Sequence, residues 1–285
     1  MTELRIGGVP EHFNLPWHRL INAQGLARLG LEARWRDFPD GSGAMAGALR
    51  TGALDVAMLL TEGAIAGAAA GGFKIVSLYT ESPLIWGIHV PAASPIRTVE
   101  EVRGRRYAIS RLGSGSHLMS FVHARERGWP AADIEFVVVG SLQGAIDAFA
   151  NGTADVFFWE KFMTKPLIDA GKFRRVGEFI APWPAFVVCV STAALALQRA
   201  IATLLEAVFA SAAELAASPD AATTIAARHG LKPVDVREWL GTTRWAKSPG
   251  IGVEHVARAV AELAALGLIA ADVSPAALIA PLVEH

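Results

Sequence analysis

Two Rossmann-like α/β lobes with mixed sheets, joined by two chain crossings and followed by a helical C-terminal tail, is the fold the sequence predicts. Three observations predict it. Strand-like and helix-like segments alternate through most of the chain, as they do where helices cover a largely parallel sheet. A punctuation pattern occurs twice, as Gly41-Ser42…Gly52-Ala53-Leu54-Asp55-Val56 and as Gly140-Ser141…Gly152-Thr153-Ala154-Asp155-Val156. The length, 285 residues, exceeds the roughly 100–200 residues of a usual single domain.

The elements follow in order. Leu4–Val9 reads as a strand, then a helix opened by Asn14 and Pro16, a strand Leu31–Arg36, a helix after Ser42 and a strand Val56–Leu60. Lys74–Tyr79 and Leu84–Val90 read as two further strands, after which Pro91 and Pro95 interrupt a polar stretch and set a boundary. Alternation resumes with strand Arg106–Ser110, a helix from Ser116, strand Ile134–Val139, a helix after Ser141, strand Val156–Trp159, a helix from about Glu160 and strand Phe173–Phe179. The run Phe186–Val190 returns the chain to the first lobe. Beyond it the sequence is Ala-rich and helical, with caps at Ser191/Thr192, Ser218 and Ser274 and no evident strand. The expected lobes are therefore 1–90 plus 187–285, and 91–186.

The repeat has a physical content. In each copy Ser caps a helix, Gly ends it in the left-handed conformation, a turn with Asp follows, and a buried strand runs on to a carboxylate, Glu62 or Glu160. Any αβ unit can use such punctuation, so the repeat supports a shared plan without requiring one. Ligands of parallel sheets bind beyond the strands' carboxyl ends, which here means Thr61-Glu62 in lobe one and Glu160 in lobe two.

Composition narrows the function. Lys+Arg 26 against Asp+Glu 27 leaves a net charge of -1 with no basic run, which argues against nucleic-acid binding. The single cysteine, Cys189, lies in an apolar run and reads as core. The chain is 52% hydrophobic, a composition that raises the question of membrane insertion. The longest uncharged stretch, Phe179–Gln198, contains Pro182 and Pro184 and divides into a strand and a capped helix, a poor spanning segment. No stable membrane insertion is expected. No basic-then-apolar leader precedes the first strand, which points to the cytoplasm, or to the periplasm if a signal peptide has been removed. The histidines lack metal-ligand spacing, so neither a metal nor any other cofactor is expected.

The loop Ser110-Arg111-Leu112-Gly113-Ser114-Gly115-Ser116-His117 leaves a strand and opens a helix. Its small residues let backbone N–H groups and hydroxyls approach an anion at the positive helix end, although a Ser-capped Gly turn explains it too. Glu62 and Glu160 suit a cationic or amino-heterocyclic group, an acid/base pair, or a helix's first turn. In the exit loop of the first strand, Asn14 reads as the helix cap, while Glu11 and His12 stay open. Trp159 and Trp183 are the aromatic ligand candidates.

With these features in place, the chain resembles the periplasmic-binding-protein type II family, and within it the nitrate/sulfonate/taurine and thiamin-pyrimidine (NMT1/THI5-like) group. The resemblance covers nearly the whole chain and rests on the Ser110–His117 loop, Gly52-x-x-Asp55-Val56, and Trp239-Leu240-Gly241-Thr242-Thr243-Arg244-Trp245. It implies solute contacts at His12, Thr61, Glu62, Ser114, Gly115, Ser116 and Glu160. The segment Phe158-Trp159-Glu160-Lys161-Phe162-Met163-Thr164-Lys165-Pro166-Leu167 is similar to a cytosolic orphan subgroup, so transport does not follow from the fold. The resulting expectation is a protein resembling the substrate-binding subunits of ABC transporters, closing by a hinge on an anionic or amino-heterocyclic metabolite in the interlobe cleft. Its partner is a small-molecule ligand, with a transporter permease added if the chain is exported. An enzyme on the same scaffold, pyrimidine-synthase-like or decarboxylase-like, is the alternative.

Overall fold

The structure, a computed structural model, describes residues 2–23 and 25–282; Met1, Gln24, Val283, Glu284 and His285 of the expected lobe-one range lie outside the described residues. The chain divides into two compact units, Met1–Pro83 with Pro182–His285 and Leu84–Ala181. The first is called lobe one and the second lobe two.

Lobe one opens with β1 (Thr2–Gly8), α1 (Leu15–Asn22), β2 (Leu31–Asp37), α2 (Ser42–Arg50), β3 (Val56–Leu60) and α3 (Thr61–Ala69). Strand β4 (Phe73–Pro91) then carries the chain into lobe two, which holds β5 (Arg106–Ile109), α4 (Gly115–Glu126), β6 (Glu135–Val138), α5 (Leu142–Ala150), β7 (Val156–Glu160) and α6 (Lys165–Asp169). Strand β8 (Phe173–Ser191) brings it back to α7 (Gln198–Ala217), α8 (Ala221–His229), α9 (Pro233–Thr242), α10 (Glu254–Ala265) and α11 (Pro275–Leu278). The strand order is β2-β1-β3-β8 in lobe one and β4-β7-β5-β6 in lobe two. In each lobe three strands are parallel and the long crossing strand is antiparallel to its neighbour, so both sheets are mixed, as expected.

Several expectations are corrected. The two strands read at Lys74–Tyr79 and Leu84–Val90 are the single strand β4, and those at Phe173–Phe179 and Phe186–Val190 are the single strand β8. The prolines that suggested breaks do not break them. Strand β4 also runs through Pro83, just after the Glu81 and Ser82 amides, which donate to Arg244 O. The helix expected from Glu160 is only α6; Glu160 ends β7, and a turn intervenes. The tail is helical but adds isolated bridges, Thr80 with Trp245 and Ile75 with Ile279.

The core follows from burial. Cys189 is fully covered in β8, and burial holds its thiol well above the usual range. The segment Ala193–Ala217 is long and apolar enough to cross a bilayer by length and composition, with a mean hydropathy of 1.6 and half of it buried. Within the fold, Ile201, Leu204, Leu205 and Val208 of α7 are fully covered. The helix packs against α1, and Ser211 Oγ donates to Pro16 O at 3.0 Å.

Candidate functional site

In lobe one, β1 and β3 run parallel, so their carboxyl ends open on the same edge of the sheet. Thr61 and Glu62 begin α3 directly after β3. Glu62 is 2% exposed. Its Oε2 accepts a hydrogen bond from Trp183 Nε1 at 2.9 Å, while its Oε1 has no partner. Thr61 Oγ1 donates to Pro184 O, so the first turn of α3 and the Pro182–Pro184 stretch of β8 hold each other. The structure thus brings together Thr61, Glu62 and Trp183 among the expected ligand residues. Burial pushes the Glu62 carboxyl up to about 7, against the opposing pull of the Trp183 indole and its own backbone amide. Glu11, past the end of β1, is only partly covered, yet the protein crowded around it pushes its carboxyl up to about 7 as well.

His12 lies in a different setting. Its ring is fully buried, 4.1 Å centroid to centroid from Trp239, 4.8 Å from Phe13 and 6.0 Å from His229. Neither ring nitrogen has a partner. Burial, and then His229, hold the imidazole neutral, well below its ordinary range. Of these neighbours, His229 comes from α8 and Trp239 from α9, far along the sequence, and no local pattern announces them. Asn14 holds the position expected for the cap of α1, but its side chain does not cap: Nδ2 donates to Val9 O at 2.8 Å.

In lobe two, Ser114 is the N-cap of α4, its Oγ accepting from the His117 amide, so the helix begins at Gly115 and not at Ser116. Ser116 Oγ accepts from the Ser110 amide at 3.2 Å and lies 3.1 Å from Ser114 Oγ and 3.4 Å from Ser110 Oγ. The hydroxyls therefore brace the loop. With the Ser114 cap on His117 and Ser114 O accepting from Leu118, Gly115 and Ser116 supply the first-turn amides that have no acceptor inside the helix. His117 Nδ1 accepts from the Gly113 amide at 3.1 Å, which leaves the ring proton on Nε2, and burial lowers its basicity.

Glu160 is buried, and its Oε2 accepts from the amides of Phe162 at 2.8 Å and Met163 at 2.6 Å. The carboxylate closes the turn after β7. Trp159 points the other way along the strand: it stacks on Phe157 at 5.1 Å and packs on the cluster of Ala145, Phe149 and Phe173 between α5 and the sheet. Both have packing or capping roles that the sequence did not separate from ligand contact. Among the described residues no group of three or more His, Cys, Asp or Glu is placed to hold a metal ion.

Comparison with known proteins defines the class: the chain has the periplasmic-binding-protein fold. Residues 86–179, within lobe two, match the family model described as Ca3427-like PBP. Among solved structures, the CA3427 gene product of Candida albicans is 24% identical, covering 100% of this chain and 99% of that one, with a TM-score of 0.91. The alkanesulfonate-binding protein SsuA of Xanthomonas axonopodis pv. citri, bound to MOPS, is 21% identical over 99% of both chains, TM-score 0.83. The aliphatic sulphonate-binding SsuA of Escherichia coli is 19% identical, covering 100% of this chain and 94% of that one, TM-score 0.78. No curated protein matches the sequence.

Proposed function

We propose that this protein is a two-lobed solute-binding protein that closes on an anionic or amino-heterocyclic small molecule by a hinge. The observation that carries the reading is the likeness, over the full length of both lobes, to periplasmic binding proteins that include two sulfonate binders. The local chemistry supports it. The amides of Gly115 and Ser116 at the start of α4 suit an acidic group, and the loop around them is stiffened by three serine hydroxyls, so little ordering remains to be done on binding. The solute would be named by mass spectrometry of what co-purifies. Small-angle scattering with and without that solute should then show compaction; an unchanged profile at saturation would overturn the reading. Replacing Ser116 by Ala, which removes the hydroxyl bracing the loop, should lower affinity by about tenfold, measured by calorimetry.

A further inference from the structure

We propose that Glu62 recognises a nitrogen bearing N–H, so that the solute is an ammonium, amidinium or amino-heterocyclic compound and not a plain anion. The inference rests on the solute-binding reading and narrows its ligand class.

The argument starts from an unpaired atom. Buried carboxylate oxygens are almost always hydrogen-bonded, and one left alone costs free energy. Glu62 Oε1 is such an atom in a side chain that is 2% exposed. Its direction is fixed, because Trp183 Nε1 holds Oε2 and Thr61 holds Pro184 O beside it. No basic residue answers it: among the described residues no ion pair involves Glu62. The equivalent carboxylate of the internal repeat, Glu160, is engaged by two backbone amides. The open oxygen is therefore no part of the scaffold the two lobes share. In the ionised form of Glu62, what satisfies Oε1 must be a donor, and an acceptor-only group such as a sulfonate or carboxylate would meet it with repulsion and bind only where the carboxyl keeps its proton.

The proton economy agrees. Glu62 sits up at about 7 and Glu11, past the neighbouring strand end, likewise, so near neutrality lobe one carries partly protonated carboxyls. A cationic or N–H-rich nitrogen would draw Glu62 into its charged form and release the proton.

Two matched probe pairs test this by calorimetry at pH 7: taurine against ethanesulfonate, and 4-aminopyrimidine against pyrimidine. In the wild type the N–H-bearing member of each pair should bind about tenfold more tightly. In Glu62→Gln that preference should shrink to about twofold, with circular dichroism and the melting temperature reporting that the variant is folded. Repeated in phosphate and in Tris, wild-type binding of taurine should release up to about half a proton, and the variant none. Trp183→Phe, which leaves Oε1 in place, should keep the sign of the preference. Equal affinity within both pairs, or a co-purified solute without N–H, overturns the inference while the solute-binding reading stands. If no probe binds and no solute co-purifies, the reading falls with it.

Discussion

In lobe one, Asp55 accepts from the Arg5 amide at 2.8 Å, from Arg5 Nε at 2.9 Å and from Arg5 Nη2 at 2.6 Å. In lobe two, Asp155 accepts from the same three atoms of Arg106, at 3.1, 2.9 and 2.8 Å. The turn after each helix matches as well, with Ala53 N donating to Ala48 O and Thr153 N to Ala148 O. The likeness ends where each strand delivers its carboxylate. Glu160 is enclosed by the amides of its own turn, whereas Glu62 shares one oxygen with an indole and leaves the other open. Ser42 and Ser141 diverge too: Ser141 Oγ caps α5 through the Gly144 amide, while Ser42 lies inside α2 and its Oγ accepts from Leu60 N. A duplicated plan thus fixes the backbone and leaves the strand ends free to specialise.

The sharpest break in that comparison lies between the two carboxylates. Glu160→Ala strands two backbone amides that Glu160 now satisfies and should cost about 2–4 kcal/mol of stability. Glu62 should respond with the opposite sign. Its folded carboxyl sits at about 7, above the roughly 4.3 of an unfolded chain. Between those values the folded state keeps a proton that the unfolded state has lost, so stability falls as pH rises through this window. Glu62→Gln removes that loss and should stabilise the unliganded protein by about 1–3 kcal/mol at pH 8, with little change at pH 4. Chemical denaturation of both variants at the two pH values reads the contrast. A destabilising Glu62→Gln at pH 8 would place both carboxylates in the same structural role.

The Arg–Asp clamps should differ in degree only. Burial pushes the Asp55 carboxyl up, but three bonds from Arg5 outweigh it and hold the group below its ordinary value. For Asp155 the Arg106 side chain is the leading influence, again downward. A depressed carboxyl contributes stability above its unfolded value of roughly 3.9, and that contribution is lost as pH falls through the folded value. Asp55→Ala should cost about 1–2 kcal/mol at pH 7 after allowance for solvent screening. Asp155→Ala should cost less, since its side chain is 28% exposed against 13% for Asp55. Both losses should fade below pH 4 in thermal melts, and a loss that persists there would mean packing and not charge holds the turns.

Much of this plan was legible in the sequence because it is local. Gly-x-x-Asp-Val announces a turn and a buried strand within a few residues, and Ser114 and Ser141 do cap helices. What escaped is either continuous or distant. Pro83, Pro182 and Pro184 look like breaks, yet β4 and β8 run through them, because proline fits an extended backbone wherever the ladder needs no donor from it. The cage around His12 is built by Trp239 and His229, whose approach depends on tertiary packing alone. Glu62 and Glu160 read alike, since nothing in the letters says whether following amides will turn back onto a carboxylate. Trp183 was legible as a candidate aromatic, but its bond to Glu62 joins β8 to α3 across a long span of chain.

The smallest effect is the cleanest test of whether the shared plan is energetically shared. Gly52 and Gly152 have φ of +70° and +65°, in the left-handed region that a side chain disfavours by about 1–2 kcal/mol. A Cβ at either position would meet nothing within 4 Å, so no steric term is added and only the backbone term remains. Alanine also narrows the unfolded ensemble, which offsets part of the loss. Gly52→Ala and Gly152→Ala should therefore each cost about 1 kcal/mol, and asparagine, which tolerates this conformation, should cost less at both. Because two lobes need not unfold together, hydrogen exchange read on peptides from each lobe is the suitable measurement. Gly52→Ala should raise exchange chiefly around α2 and β3, and Gly152→Ala chiefly around α5 and β7. Costs differing by more than about 1 kcal/mol would show that one lobe's turn is held by its surroundings, because the backbone term is common to both.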